Sequence, residues 1–461
     1  MMARSVSLSP ASAYPGVRWP AVPDGKAAVR LALQYQLDQS QWWSAEALRD
    51  HQFTQIAVLL RHAADTVPYY RQRFSEARVK LDKAATPDGF AAVPLLTRAD
   101  LQGADQDLRS ERIPKQHGRL YEVHTSGSTG APIRSWTTDL TRLFWQTFTL
   151  RDHRWHRRDL SSKLAVIRYA PPGEAMPPRG ERRPSWGRAT DIVQRTGPSA
   201  RLSIRATIRE QTRWLQRENP DYLLTYPSNL EALAHHFAEH GVRLERLREA
   251  RTLAETVTPE QRRLCAEVLG VPLVDIYSAS EVGYIALQCP AHPHYHVQAE
   301  NVLVEVLDDA GRACAPGEVG RVVVTCLNNF AAPLIRYELG DYAEVGAACP
   351  CGRGLPVLTR IMGRTRNMFT LPNGEKRWPI SGFMPHRRTV PFRQAQVVQK
   401  TRENVEVRMV VDAPLTAEQE AKVVESIHVA MNYPFRVTFL YVDDLPRSES
   451  GKFEDYVSEV G

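Results

Sequence analysis

A chain of 461 residues, 43% hydrophobic and 24% charged, has the composition of a soluble globular protein and length for two to four domains with ample core. It holds no run of about 18 apolar residues, which excludes a membrane-spanning helix, and its polar start, with Pro10, Pro15, Pro20 and Pro23, lacks the apolar centre of a secretory signal. A formal charge of +7, from 59 Lys+Arg against 52 Asp+Glu, is mild for this length: it suits an anionic small molecule such as a nucleotide and weakly allows nucleic acid.

Residues 1–44 read as a loosely ordered leader, and the protein is expected to be cytoplasmic. Leu48, Ile56, Leu59, Leu60 and Ala63 recur at helical spacing and predict a helix over 47–64, ended before Val67-Pro68 because proline disfavours helix at the residue before it. Thr97 is a candidate N-cap for a further helix. Residues 138–151 predict a helix with an aromatic stripe of Phe144, Trp145 and Phe148. The arginine clusters at 151–158 and 179–189 are read as solvated loops. Residues 222–227 predict a buried strand. Ser228 with Glu231, and Thr258 with Gln261, form capping boxes for helices closed by Gly241 and Gly270. Residues 271–277 form the next strand. Strands alternating with helices predict an α/β fold with a largely parallel sheet. The pattern then changes: 302–307 and 320–325 flank the turn Asp308-Asp309-Ala310-Gly311 and predict a small antiparallel β subdomain. A strand at 405–411, a helix at 416–431 capped by Thr416 and Gln419, and a strand at 436–442 predict a separate small α+β domain. The expected division is a large domain over 45–365 and a small mobile one over 366–461.

The candidate chemistry is spread along this frame. Thr125-Ser126-Gly127-Ser128-Thr129-Gly130 follows a strand-like end and offers hydroxyls and close backbone approach, as a phosphate-cradling loop needs. It is not a Walker A loop, since no Gly-Lys-Ser/Thr closes it. Tyr277-Ser278-Ala279-Ser280-Glu281 sets an aromatic ring and a carboxylate at a strand end, where the carboxylate suits Mg²⁺. Tyr337-Glu338-Leu339-Gly340-Asp341 offers a carboxylate for a pair of hydroxyls, and Arg364 follows downstream. Lys452, in Ser448-Glu449-Ser450-Gly451-Lys452, is a point charge on a flexible loop, suited to phosphate oxygens. Six cysteines are too few for a disulfide framework; Cys265, Cys314 and Cys326 stand alone, but Cys349 and Cys351, with Cys289 upstream, have metal-ligand spacing. Either His292 or His296 can complete that set on spacing.

These motifs, in this order, resemble the adenylate-forming enzymes of the acyl-CoA synthetase and luciferase superfamily. Val67-Pro68-Tyr69-Tyr70-Arg71, Tyr226-Pro227-Ser228-Asn229-Leu230 and Cys349-Pro350-Cys351-Gly352-Arg353 are similar to its phenylacetate–CoA ligase branch, and the resemblance runs over about residues 45–455. It implies that a carboxylic acid attacks the α-phosphorus of ATP to give an acyl-adenylate and pyrophosphate, and that coenzyme A then displaces AMP. It further implies that Thr125 to Gly130 hold phosphates, with Ser278 and Ser280 also at the nucleotide, and that Tyr277 stacks on adenine. Asp341 and Arg364 would bind ribose, Glu281 would hold Mg²⁺, and Lys452 would serve adenylation. The acid is expected to be aromatic, in a pocket of Trp145, Tyr226, Pro227 and Ala279, with Phe148 beside it. Cys289, His296, Cys349 and Cys351 would hold a structural Zn²⁺. The expected partners are the small acid and its acceptor, with no nucleic acid and no membrane; a homodimer is allowed.

Two departures from the family pattern stand out. Ala131 follows the loop where a basic residue is common, which leaves Arg134 as the nearest cation. Arg366 occupies the hinge place usually held by an acidic residue. The second bears on the domain movement that serves the thioester step, and keeps open an amine or other nitrogen acceptor in a natural-product pathway.

Overall fold

In the computed structural model the described residues are 8, 10–124, 133–364, 367–379, 390–445, 447–448 and 451–460. A twelve-stranded sheet forms the spine of the large domain. Its strands run in space as Val302–Leu307, Val319–Cys326, Tyr337–Val345, Val357–Arg364, Tyr295–Val297, Gly283–Gln288, Leu273–Ala279, Glu249–Leu253, Tyr222–Thr225, Leu164–Arg168, Ser199–Ser203 and Glu181–Arg183. The five from Leu273–Ala279 to Ser199–Ser203 are parallel neighbours, and every other pairing is antiparallel. The antiparallel strands expected in a small β subdomain lie at one edge of this same sheet; their hydrophobic alternation says nothing about which edge they join.

The helices Ile208–Glu218 and Pro227–His240 cross between parallel strands, as that topology requires. The helix Pro259–Leu264 starts at the expected Thr258–Gln261 box and runs through a π-turn, Cys265–Leu269, to Gly270 at φ +69. The expected Ser228 box does not form: the helix begins one residue earlier, at Pro227, and the Ser228 N–H donates to Glu255 at 2.9 Å. Ala45–Thr66 buries Ile56, Leu59 and Leu60 almost completely, each worth about 1.5–3 kcal/mol.

The leader expectation is corrected. Asp24 caps a 16-residue helix, Gly25–Ser40, whose Arg30, Gln34 and Leu37 are buried, and the Leu37 carbonyl accepts from Arg151 at 2.6 Å. Its mixed composition hides it, because much of its buried face is polar. The arginine cluster at 151–158 is also corrected. Arg151 and Arg158 are fully buried and paired, Arg151 with Glu300 at 2.8 Å and Arg158 with Asp152 and Glu249 at 2.6 Å. Arg251, on the same strand as Glu249, joins Asp152 at 2.5 Å.

The C-terminal domain is a four-stranded sheet in the order Arg436–Tyr441, Asn404–Val410, Gln394–Gln399, Tyr456–Ser458, covered by the helix Ala417–Met431. Val405, Val407 and Met409 alternate inward against Val423, Ile427 and Met431. No described helix is long and apolar enough to cross a membrane.

Candidate active site

The nucleotide candidates come together at one end of the large sheet. Leu273–Ala279 and its partner slip register between Tyr277 and Ser278, at the start of the Ser278–Glu281 stretch. The Tyr277 hydroxyl donates to Asp341 Oδ2 at 2.8 Å. Asp341 lies directly opposite Arg364 on paired strands, with Arg364 Nε 3.5 Å from Asp341 Oδ1. Burial raises the Asp341 carboxyl above its ordinary range and Arg364 opposes that shift. Burial, then Asp341, push the Tyr277 hydroxyl far up, so it stays a donor. Glu281 is half-buried and raised by burial, with Arg364 and Arg98 opposing.

Lys452 reaches this cluster from the other domain. Burial and then Arg364 lower its ammonium, while Asp341, Glu255 and Glu281 pull the other way. Gly451, at φ +82, lets the loop approach: a Cβ there would come within 2.8 Å of Ile204 and 3.3 Å of Tyr226.

Beside Glu281 opens a cavity of ≈ 160 Å³, lined by Ser280, Glu281, Trp145, Tyr284, Asn301 and Asn328 among others. Trp145 is 40% exposed and leans on Tyr284 at 5.2 Å, whereas Phe148 from the same aromatic stripe is wholly buried. Asn328 donates to Asn301 at 2.7 Å, and Asn301 donates to the Tyr284 carbonyl at 2.7 Å, so the polar wall is preset. Arg142 contributes too, its guanidinium 3.2 Å from the Tyr121 ring centre. The asparagines escaped sequence reasoning because an Asn-Asn pair reads as a turn; Arg142 reads as a solvated helix position.

Three expected acid-binding residues do not line this cavity. Tyr226 is buried and its hydroxyl accepts from Tyr169 N at 3.3 Å, Pro227 is the buried first residue of its helix, and Ala279 packs on the core. Tyr226 instead meets the Lys452 loop at Gly451. Thr125, Ser126, Gly127, Ser128, Thr129 and Gly130 lie outside the described residues, as do Ala131 and Arg366. The strands on either side of the loop, Leu120–His124 and Arg134–Thr138, pair with His124 opposite Arg134, and their Val123 and Thr137 line the cavity. Arg134 sits 3.7 Å from Glu122 and over the Trp136 ring at 5.4 Å.

Away from the cavity, the ligand atoms of Cys289, His296, Cys349 and Cys351 lie within 4.8 Å of one another. The Cys289 and Cys349 sulfurs are 3.9 Å apart, close to the edge of about 3.8 Å expected for a tetrahedron with Zn–S bonds of about 2.3 Å. His296 Nε2 is 3.4 Å from Cys351 Sγ, and burial, then Arg353, lower that imidazole to about 3, which keeps it neutral. Three soft sulfurs and a neutral nitrogen fit zinc. His292 falls outside the quartet and stacks on His294, whose Nε2 is 3.0 Å from Cys349 Sγ. Tyr295–Val297, which carries His296, pairs with Val357–Arg364, the strand that carries Arg364.

Comparison with known proteins agrees with this geometry. Residues 388–459 match the family model described as the CapK C-terminal domain. The chain is 27% identical over 456 residues to a phenylacetate-coenzyme A ligase of Thermus thermophilus, covering 88% of this chain and 95% of that one. It is 26% identical over 350 residues to a phenylacetate-coenzyme A ligase of Pseudomonas putida, covering 73% and 74%. In fold it is similar to 2-hydroxyisobutyryl-CoA ligase in its postadenylation state, with a TM-score of 0.72, 17% identity and 92% of each chain covered. Against the same ligase in the thioesterification state, with 92% of each chain covered and 18% identity, the TM-score is 0.60. Sequence relatives and fold both agree with the resemblance to the adenylate-forming superfamily and its phenylacetate–CoA ligase-like branch.

Proposed function

We propose that this protein activates a carboxylic acid with ATP as an acyl-adenylate and then transfers the acyl group to coenzyme A. The observation that carries the reading is the seating of the Lys452 loop of the C-terminal domain on the large domain, where the Phe453 N–H donates to Glu255 at 2.8 Å and Gly451 packs beside Ile204 and Tyr226. In the first step a carboxylate oxygen of the acid bonds to the α-phosphorus and the bond to pyrophosphate breaks. The barrier is crowded negative charge, which a positioned ammonium and loop donors relieve. In the second, the thiol adds to the acyl carbonyl and AMP leaves.

In this reading the large domain, 45–365, binds the nucleotide and the acid, and the lid, 366–461, brings Lys452. Tyr277 flanks the adenine, Asp341 and Arg364 hold the ribose, and Thr125 to Gly130 with Ser278 and Ser280 take phosphate oxygens. Glu281 would hold Mg²⁺, which when bound neutralises phosphate charge. Cys289, His296, Cys349 and Cys351 would hold a structural zinc. The acid is aromatic, with Trp145 as the flat wall of its cavity; phenylacetate in the names of the sequence relatives supports an aryl acid. The better fit to a postadenylation state than to a thioesterification state supports an adenylating arrangement of the two domains.

Acid-dependent ATP–pyrophosphate exchange across aryl and alkyl acids tests the reading. Exchange with an aryl acid, followed by a thioester identified by mass spectrometry after adding coenzyme A, is the expected result. No exchange with any acid overturns it, and an amide formed with an amine instead of a thioester overturns the acceptor. Metal analysis should find about one zinc per chain, absent from a Cys349→Ser/Cys351→Ser variant; a zinc-free wild type removes the zinc assignment.

A further inference from the structure

Glu255 belongs to none of the groups assigned above, yet it joins the two domains. It follows the strand Glu249–Leu253 and comes after Ala254, which adopts φ +73. That left-handed conformation disfavours a residue with a Cβ, so the turn that aims Glu255 is held against a local cost. The Glu255 side chain is only 8% exposed. Its Oε2 accepts from the Ser228 N–H at 2.9 Å, in the first turn of the helix Pro227–His240, where N–H groups lack helical partners. Its Oε1 accepts from the Phe453 N–H at 2.8 Å, one residue beyond Lys452. One carboxylate thus faces each domain with one oxygen.

Arg447 closes the arrangement. Its Nη1 lies 3.8 Å from Glu255 Oε1 and donates to Ser228 Oγ at 2.9 Å and to the Gly451 carbonyl at 3.1 Å. The Lys452 loop is itself braced: Ser448 N donates to the Lys452 carbonyl at 2.9 Å, and Lys452 N donates to Ser448 Oγ at 3.1 Å. The position of Lys452 over the site therefore depends on where Phe453 and Arg447 are anchored. Both anchors are Glu255 and the start of one helix.

We propose that Glu255 is a latch: a positioning residue that holds the Lys452 loop against the large domain and so serves the adenylation half-reaction alone. This rests on the function proposed above. In any arrangement that carries Lys452 away, Glu255 keeps Ser228 and exchanges Phe453 for water, at little cost to the large domain. The latch is thus selective for one docked state.

The test compares two half-reactions in the full-length protein. Glu255→Gln removes one of the two acceptors, and Arg447→Met loosens the lid side while Glu255 still caps Ser228. Each is assayed for ATP–pyrophosphate exchange with the acid that drives it best, and for AMP release from the preformed acyl-adenylate with coenzyme A or whichever acceptor wild type uses. Both variants should lose exchange by about 10- to 50-fold in kcat with KM for ATP changed less than twofold, and keep AMP release within twofold of wild type. If Glu255→Gln fails to fold, Arg447→Met alone decides. Intact exchange, or equal loss in both half-reactions, overturns the latch while leaving the activity standing. A wild type without exchange overturns the activity and the latch together.

Discussion

On the sheet side of the site, Tyr277, Asp341 and Arg364 sit on three strands of one continuous sheet, and Tyr277 is wedged in the core beneath them. On the lid side, Lys452 stands on a turn whose anchors to the large domain include one backbone N–H, that of Phe453, on the Glu255 carboxylate, and one arginine, Arg447, on Ser228. The difference follows the work proposed for each. Groups that grip the nucleoside are needed throughout and gain from being preset, since their order is already paid for in folding. A cation needed for one step can be held by a handful of polar contacts that water can replace.

The largest way to break this comparison is Lys452→Ala. Loss of a preorganised charge at the reacting phosphate should cost ~3–4 kcal/mol, a fall in exchange of about 100- to 1000-fold, with KM for ATP little changed; unchanged exchange would remove Lys452 from the reaction. Asp341→Asn should act on the other side, raising KM for ATP by about 10- to 100-fold for a lost charged hydrogen bond of ~1.5–3 kcal/mol. A loss of kcat with KM unmoved would mean that the sheet half does not grip the nucleoside.

Acid should distinguish the large domain from the lid. His153 and His156 are buried beside Arg158 and Arg251, and burial, then those charges, keep both rings neutral, His156 down to about 3. His153 Nδ1 faces Arg158 Nη1 at 3.3 Å as an acceptor. With folded values below the ordinary 6.5, the unfolded chain binds more protons between the two values. Stability is therefore present above pH ~6.5 and lost as pH falls below it, by up to ~1.4 kcal/mol per pH unit per ring. Denaturant melts at pH 7.5 and pH 5.5 check this; equal midpoints would contradict neutral buried rings. The smallest effect is expected from Trp145→Ala, about fivefold in KM for the acid, or ~1 kcal/mol, with KM for ATP unchanged.

Much of the frame was legible because local rules governed it. Thr258 and Thr416 cap helices at the predicted positions, Gly241 and Gly270 close helices in the left-handed conformation, and Val405, Val407 and Met409 alternate as a strand must. Gln394–Gln399 was not legible: Gln399 looks like a surface residue, yet its amide is buried and bonds both the N–H and the carbonyl of Thr370. Gly25–Ser40 failed for the same reason, with Arg30 and Gln34 facing inward. Ser228 was misread because an acceptor from the turn after Glu249–Leu253, Glu255, took the N–H that a local cap would have used.

The sequence by itself determined the set of chemical groups: a carboxylate at a strand end, another after a glycine, a lysine on a loop, and three cysteines with a histidine. Residue type and short spacing suffice for that, since they limit what each segment can donate, accept or ligate. Tertiary structure decided which groups meet. It placed His296 rather than His292 beside the three cysteines, separated Trp145 from Phe148, set Tyr226 beside Gly451 rather than in the cavity that Trp145 lines, and put Glu255 between two domains. Each of those outcomes depends on distances between segments far apart in the chain, and such distances follow from how the sheet is ordered and how the lid docks on it.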